Sequence, residues 1–100
     1  MLEIWPTKAR RSDVQIMAEI LVASRFTELG RPEISSTVNI SYMQAQRYLK
    51  RLSDLRLVDA EVKEDNHVCY RTNEKGNRLL IQVESIQELL QRRKPAKLSL

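Results

Sequence analysis

Two segments with helical patterning are separated by only three residues, 39–41, and no other feature constrains the fold of this chain as much. Before this gap, Pro32 suits the first turn of a helix, and Ile34 and Val38 fall on one face of it. Asn39 is able to end that helix, because asparagine tolerates the left-handed backbone conformation that helix ends require. Two helices joined by about three turn residues form a helix-turn-helix, which is the arrangement that we predict.

The helix after the turn is predicted to be amphipathic. Ser41 and Gln44 have the spacing of a capping box, and Ala45, Leu49 and Leu52 then recur at the spacing of one helical face. At about 100° per residue, the opposite face is almost entirely long and polar or basic. It holds Met43, Arg47, Lys50, Arg51 and Asp54, with Gln46 on its flank. This helix therefore has one face for the core and one that is free for a partner.

Two alternating segments follow, residues 57–62 and 67–72, and they predict a β-hairpin. The side chains predicted to face the core are Val58, Ala60, Val62, Val68, Tyr70 and Thr72. A hairpin directly after a helix-turn-helix is a wing. The predicted fold class is therefore α+β and mostly α, a winged helix-turn-helix with a β-hairpin wing and a long C-terminal helix.

A further helix is predicted before the helix-turn-helix, from Ser12 to about Phe26. Ser12 and Gln15 again have the spacing of a capping box. The apolar face of this helix is predicted to hold Val14, Met17, Ile20, Leu21 and Ser24.

The last helix is predicted to begin near Asn73, a good capping residue, and to end before Pro95. At about 1.5 Å per residue it is close to 30 Å long, which is more than so small a core covers. Leu80 is predicted to pack on the domain's own core. The alternating spacing of three and four residues that is typical of a coiled coil recurs at Gly76, Leu79, Val83, Ile86 and Leu90. We therefore predict a homodimer joined through Leu79, Val83, Ile86 and Leu90; the alternative is that this seam packs within one chain.

The 100 residues of the chain, 42% of them hydrophobic, suffice for one compact core. No apolar run approaches the roughly 18 residues that cross a bilayer, and the first residues lack the pattern of a signal peptide. We expect a soluble, cytoplasmic protein without a membrane partner. Its parts are an N-terminal segment (1–11), a winged helix-turn-helix domain (12–75), a dimerisation helix (76–94) and a basic tail (95–100).

The charge of the chain favours a polyanionic partner. The formal net charge is +4, and basic side chains gather on the outer side of the third helix. Within a helix-turn-helix followed by a wing, such a face predicts binding to double-stranded DNA. We expect Arg47 to contact a base, because its planar guanidinium group can donate hydrogen bonds to two atoms of guanine. Lys50 and Arg51 are expected to hold phosphates.

The predicted wing departs from this pattern, because acidic residues dominate it. The charged residues from position 59 to position 65 are Asp59, Glu61, Lys63, Glu64 and Asp65. Negative charge near a phosphate weakens binding. We expect the wing either to stay off the duplex or to meet it only through His67 and Arg71.

Residues 39–52, with the sequence NISYMQAQRYLKRL, and residues 70–76, with YRTNEKG, resemble the small archaeal winged-helix DNA-binding proteins. Together with Leu79 and Leu80, they are most similar to the archaeal ten-a class of chromatin-associated or regulatory proteins. The resemblance implies a winged helix with a C-terminal dimerisation helix, and a third helix that enters the major groove. The residues that it places near bases or phosphates are Tyr42, Met43, Gln46, Arg47 and Lys50, with Ser41 near the DNA backbone.

The sequence holds no pattern that predicts catalysis, a cofactor, a metal or a small-molecule ligand. Gly30 and Gly76 are the only glycines, and the single histidine has no nucleophile or paired carboxylates beside it. His67 and Cys69 share one strand face, but two ligands do not make a zinc site. A redox role for Cys69 has equally little support. We expect a protein that is not an enzyme.

Several alternatives stay open. Trp5 and Tyr48 are expected to complete the core rather than to contact a ligand. The basic leader, residues 8–11, and the tail, residues 92–97, are either arms that contact phosphates or solubilising ends. A winged helix can also serve as a protein-interaction module, and the acidic wing and the apolar seam would suit that role. Binding to duplex RNA is a third alternative.

Overall fold

The computed structural model describes residues 11–91, and across them four helices and three strands follow one another. In chain order they are α1 (Asp13–Ala23), β1 (Leu29–Gly30), α2 (Arg31–Val38), α3 (Tyr42–Asp54), β2 (Val58–Val62), β3 (Val68–Thr72) and α4 (Glu74–Gln91). The fold is α+β and mostly helical, which confirms the predicted class. Trp5, the leader before Arg11 and the basic tail from Arg92 lie outside the described residues.

The predicted bounds of α1 are confirmed at its start and wrong at its end. Ser12 Oγ accepts a hydrogen bond from the backbone N–H of Gln15 at 3.1 Å, which caps the helix. The helix ends at Ala23, and Phe26 beyond it is 81% exposed. Val14 is exposed as well, because the buried face of α1 is turned away from it. The apolar residues that α1 does bury are Ile16, Ala18, Ile20 and Leu21.

The predicted tight turn joins α2 to α3. Asn39 has a φ of 63°, the left-handed conformation expected at this helix end. Ser41 Oγ accepts from the N–H of Gln44, and Gln44 Oε1 accepts from the N–H of Ser41, both at 3.0 Å. The capping box is thus complete, and it fixes the direction in which α3 leaves the turn.

Arg11 holds this turn from outside. Its guanidinium donates to the carbonyl oxygens of Val38 at 2.8 Å and Asn39 at 2.9 Å, and it forms an ion pair with Glu19. The last carbonyls of a helix lack partners within the helix, so a cation placed on them stabilises the helix end. Arg11 therefore takes part in the packing of the domain, although the sequence pattern groups it with the basic leader.

The three described strands form one antiparallel sheet in the order β1-β3-β2. β2 and β3 pair along all five residues of each strand, which confirms the predicted hairpin. The sequence does not predict β1, because two residues are too few to show an alternating pattern. Leu29 and Gly30 are extended because they pair with Tyr70 and Cys69 of β3.

Only the base of the hairpin packs on the core, and this corrects the predicted burial of β2. Val58 is buried, but Ala60 and Val62 are exposed, and Val62 is 65% accessible to solvent. The three predicted positions on β3 are buried or half-buried. The alternation correctly predicts the strands, but β2 runs out past the helices, so its side chains near the turn meet solvent.

The hydrophobic core lies between α1, α2, α3, the base of the hairpin and the first half of α4. Tyr48 and Leu80 are buried in it, as predicted. Thr72 joins the sheet to α1, because its hydroxyl donates to the carbonyl of Leu21 at 2.7 Å and lies 3.1 Å from Ser24 Oγ. Thr72 therefore fixes the end of β3 against α1.

Gly76 is the point where α4 touches the base of the wing. Its N–H donates to Asn73 Oδ1 at 2.9 Å, which confirms Asn73 as the cap of α4. A Cβ on Gly76 would lie 2.3 Å from the carbonyl oxygen of Leu57 and 2.7 Å from Thr72 Cγ2. Gly76 is buried inside the domain, so it does not belong to the seam in which the spacing places it.

We expect Gly76→Ala to lower the free energy of unfolding by roughly 1–3 kcal/mol, because the overlapping carbonyl of Leu57 is backbone and cannot turn aside. This loss outweighs the gain of ~1 kcal/mol in helix propensity that alanine brings. Urea denaturation measures the difference. Gly30→Ala is the matched control, since its tightest neighbour, at 2.7 Å, is the flexible end of Glu33. Equal losses for the two variants would contradict the packing described.

Candidate nucleic-acid interface

Helix α3 presents one side to the core and the other to solvent. Its buried residues are Ala45, Tyr48, Leu49 and Leu52. The exposed residues on the opposite side include Met43, Gln46, Arg47 and Lys50, which we call the α3 outer face. Four of the predicted contact residues are thus brought together on one rigid surface.

Arg47 is lightly anchored on the α3 outer face. Its guanidinium carbon lies 5.6 Å from the centroid of the Tyr48 ring. That ring is fixed, because the Tyr48 hydroxyl donates to Asp13 Oδ1 at 2.6 Å, and this bond to a carboxylate raises the pKa of Tyr48. A cation–π contact at an exposed site contributes only ~0.5–1 kcal/mol. Arg47 is therefore held only weakly, by Tyr48, and remains exposed on the helix surface.

Lys50 and Arg51 form only loose ion pairs. Lys50 Nζ lies 3.3 Å from Asp54 Oδ2, and Arg51 Nη1 lies 3.8 Å from Asp13 Oδ2. Exposed ion pairs contribute about 0–1 kcal/mol, so a phosphate competes easily with these carboxylates. Asp13 is the first residue of α1, and Arg51 therefore lies on the flank of α3 beside α1 rather than at the centre of the outer face.

The first turn of α3 holds two further predicted contacts. Ser41 is exposed, but its hydroxyl oxygen already accepts the capping hydrogen bond from Gln44. The Ser41 hydroxyl proton is therefore the part of this side chain that is left to bond a phosphate. Tyr42 is 47% exposed and lies on the flank of α3 opposite Arg51.

Arg31 is the residue at this site that the sequence analysis misses. It is the first residue of α2, and hydrogen bonds to the hydroxyls of Tyr42 and Tyr70 raise the pKa of Arg31. Its guanidinium carbon lies 5.9 Å from the centroid of the Tyr70 ring. No periodicity relates positions so far apart in the chain. Only the fold brings Arg31 between α3 and the wing.

The basic side chains at the tip of the wing are paired with carboxylates. Lys63 Nζ lies 2.7 Å from Glu28 Oε1 and 3.5 Å from Glu61 Oε1, and the bond to Lys63 lowers the pKa of Glu28. His67 Nδ1 lies 2.7 Å from Asp65 Oδ2, and this contact lowers the pKa of Asp65. The tip therefore offers a phosphate little attraction.

Arg71 is the predicted contact at the base of the wing. It is exposed on β3 and lies opposite Asp59 of β2, whose carboxylate also accepts from Asn73 Nδ2 at 3.1 Å. Arg71 belongs to the sheet and not to α3. The predicted contact residues therefore form two parts, the surface of α3 and a single basic residue of the wing.

The predicted dimer residues divide into two pairs. Leu79 is 37% exposed and Val83 is half-buried, and both line an apolar pocket of about 150 Å³ between α1, α4 and the end of α3. Ile86 and Leu90 are 57% and 68% exposed on the distal half of α4. The first pair thus borders the domain, and the second is uncovered in the single chain.

Within residues 11–91, no cluster of three or more histidine, cysteine or acidic side chains is arranged to hold a metal ion. None of the helices in this part of the chain combines the length and the apolar character needed to cross a membrane.

The family model described as winged helix-turn-helix matches residues 10–91 of the chain. The chain belongs to the winged helix-turn-helix family. In this winged helix-turn-helix protein, α2 and α3 are the two helices of the motif, and β2 and β3 form the wing. No curated protein matches the sequence.

Solved structures share the winged helix-turn-helix fold. Sso10a-2, a DNA-binding protein from Sulfolobus solfataricus, is 24% identical with a TM-score of 0.72, over 87% of this chain and 90% of that one. A second similar structure is MepR, a transcription regulator of the Staphylococcus aureus multidrug efflux pump MepA. It is 16% identical with a TM-score of 0.73, and the match covers 84% of this chain and 64% of the MepR chain. The MepR–DNA complex gives 15% identity and a TM-score of 0.68, over 87% and 72% of the two chains. The predicted resemblance to small archaeal winged-helix proteins is thereby confirmed.

Proposed function

We propose that this protein binds double-stranded DNA as a homodimer and inserts α3 of each protomer into the major groove, as a transcriptional regulator or chromatin-associated protein. The α3 outer face carries the proposal. Its side chains are long and exposed, and they combine polar, apolar and basic groups, which together can contact the edges of bases. Their contacts with other side chains are weak.

The α3 outer face suits direct contact with bases. Arg47 has the fork that bonds guanine O6 and N7, and Gln46 has the amide that bonds adenine at two atoms. Met43, at 74% exposure, offers an apolar surface to a thymine methyl group. These three side chains lie within about two turns of helix, so they would span a few neighbouring base pairs.

Phosphate contacts are assigned to the residues around that face. Lys50 and Arg51 would exchange their exposed carboxylate partners for phosphates on either side of the groove. Ser41 and Tyr42 would donate hydroxyl protons, and Arg71 would reach the backbone from the base of the wing. The acidic tip would stay off the duplex, because its lysine and histidine are already paired with carboxylates.

The structural relatives support this function. Sso10a-2 is a DNA-binding protein, and MepR is a transcription regulator that has been crystallised with DNA. Both share the fold of this chain over more than four fifths of its length. If two α3 helices read the same face of a duplex, the half-sites should be about one turn, ~34 Å, apart or a multiple of that.

A titration of fluorescent duplex DNA with the protein at several salt concentrations tests the proposal. We expect tight binding at low salt and a logarithmic salt slope of about −0.9 for each phosphate contacted. Unlabelled duplex DNA and duplex RNA serve as matched competitors, and the RNA should compete poorly. Absence of binding at low salt would contradict the function. Genomic footprinting then separates a regulator, with few discrete sites, from a chromatin protein with broad coverage.

A protein-interaction module is the second candidate, and the wing is the observation that favours it. Val62 is 65% exposed beside the acidic side chains of the tip, which together suit a partner that is apolar and basic. Recovery of a stoichiometric protein complex whose formation Val62→Asp abolishes, together with no affinity for duplex DNA, would favour this second function.

A further inference from the structure

Side chains bond three consecutive backbone carbonyls where α2 turns into α3. Arg11 donates to the carbonyl oxygens of Val38 at 2.8 Å and Asn39 at 2.9 Å. The hydroxyl of Ser35 donates to the carbonyl oxygen of Ile40 at 2.6 Å. Carbonyls at a helix end have no partner within the helix and otherwise bond water. Two side chains therefore fix the backbone that leads into α3.

Arg11 is itself anchored on α1. Its guanidinium forms an ion pair with Glu19 of that helix, and its side chain is only 28% accessible to solvent. Nη1 donates to both Glu19 and the carbonyl of Val38, and Nη2 donates to the carbonyl of Asn39. The two outer nitrogens of the planar guanidinium thus both have partners inside the domain. Arg11 is therefore placed to hold the backbone rather than to reach a ligand.

The start of α3 depends on the turn, because the core does not reach it. Residues 41–43 are exposed, and the first buried residue of α3 is Ala45. The capping box of Ser41 and Gln44 orders the first turn of the helix, but only relative to the backbone that precedes it. The position of this end of α3 therefore follows from the conformation of the turn.

We propose that Arg11 and Ser35 are positioning residues that keep the turn and the start of α3 ordered before a duplex binds. This inference rests on the proposed DNA binding, in which Ser41, Tyr42 and Met43 meet the duplex. A binding surface that is ordered in the free protein loses less conformational entropy when its partner binds. The two side chains therefore raise the affinity for DNA without contacting it.

This arrangement predicts a loss of affinity without a loss of phosphate contacts. We expect Arg11→Met and Ser35→Ala each to weaken binding to a fluorescent duplex about fivefold, which is comparable to the effect of ordering one further backbone residue on binding. Methionine keeps the aliphatic stem of Arg11 but none of its donors. The salt slope should stay that of the wild type in both variants, because neither side chain touches a phosphate. Arg78→Gln, which removes an exposed arginine of α4, controls for the loss of one positive charge.

Native-state hydrogen exchange separates positioning from general stability. The N–H groups of Asn39 and Ile40 both donate to the carbonyl of Ser35, so their exchange reports on the turn. In Arg11→Met and Ser35→Ala we expect both groups to accelerate by a larger factor than the N–H of buried Leu49. If all three accelerate equally and the folded variants bind DNA as the wild type does, the two residues only stabilise the fold and the proposal is wrong.

Arg11→Lys tests whether Arg11 instead contacts a phosphate. Lysine keeps the charge but has one nitrogen where Arg11 uses two, so we expect a loss close to that of Arg11→Met. If Arg11→Lys binds as the wild type does, and Arg11→Met makes the salt slope shallower by about 0.9, Arg11 contacts a phosphate and the proposal is overturned.

Two controls keep these outcomes interpretable. Urea denaturation shows whether each variant is folded under the conditions of the binding assay; if Arg11→Met is not, Arg11→Lys and Ser35→Ala replace it. Failure of the wild type to bind duplex DNA would reject the proposed function itself. When the wild type binds, a folded variant that keeps its affinity rejects only the positioning role of the residue replaced.

Discussion

Duplex DNA should bind roughly 100-fold more weakly when Arg47 and Lys50 are both replaced by alanine, a loss of ~2.7 kcal/mol. Arg47 contributes most of this loss, because a bidentate contact to guanine is worth ~1–3 kcal/mol against other bases. Lys50 contributes the remainder through a phosphate. Neither residue packs in the core, so the double variant should fold, and loss of the Arg47–Tyr48 contact should lower its melting temperature by only a few degrees.

Fluorescence anisotropy over a range of salt concentrations measures both parts of the effect. The salt slope should become shallower by about 0.9 for the lost phosphate contact, and the preference for the best duplex over a scrambled one should fall. Lys75→Ala with Arg78→Ala is the matched control, since it removes the same two charges from the exposed start of α4. An equal loss in the control would mean that net charge, and not the α3 outer face, determines affinity.

The parts of the fold that depend on neighbouring residues are predicted well from sequence. The capping box of Ser41 and Gln44, the left-handed Asn39 and the cap at Asn73 all form as expected. The capping hydrogen bond of each involves residues no more than four positions apart, so the local sequence contains that interaction. The position of the turn, and with it the start of α3, follows from these residues.

The burial of individual side chains is predicted less well from sequence, because it depends on which other elements pack against them. The alternation around Val62 indicates a strand, but it cannot tell that the strand extends beyond the helices. Val14 shows the same limit, because its helical spacing fits the apolar face although α1 is turned to expose it. Gly76 fits the seam by spacing and is excluded from it by the carbonyl of Leu57.

One part of the candidate site is predictable from sequence, and another part depends on tertiary packing. The outer face of α3 follows from helical periodicity, since Ala45, Leu49 and Leu52 determine which side is buried. Arg31 of α2 lies 5.9 Å from the centroid of the Tyr70 ring of β3, and the two residues come together only through tertiary packing. Sequence therefore predicts which side of α3 is exposed, whereas the structure shows that Arg31 lies beside the wing.

The wild-type protein should sediment as a dimer, and the variant with Ile86→Asp and Leu90→Asp should sediment as a monomer. Both side chains are more than half exposed in the single chain, so a second copy would bury them. Burial of one such side chain contributes ~1.5–3 kcal/mol, and a two-fold dimer loses four of them in this variant. A loss of that size abolishes a dimer formed by one helix pair.

Ile81→Asp is the matched control for this experiment, because Ile81 and Ile86 are the same residue type and both are 57% exposed. At about 100° per residue they lie on different sides of α4, and only Ile86 continues the line from Leu79 and Val83. The control should remain a dimer. Val83 is a poorer site for aspartate, since it lines the pocket between α4 and α1 and its loss would disturb the domain itself. Monomers from Ile81→Asp as well, or dimers from the double variant, would show that the second copy does not dock along the predicted seam.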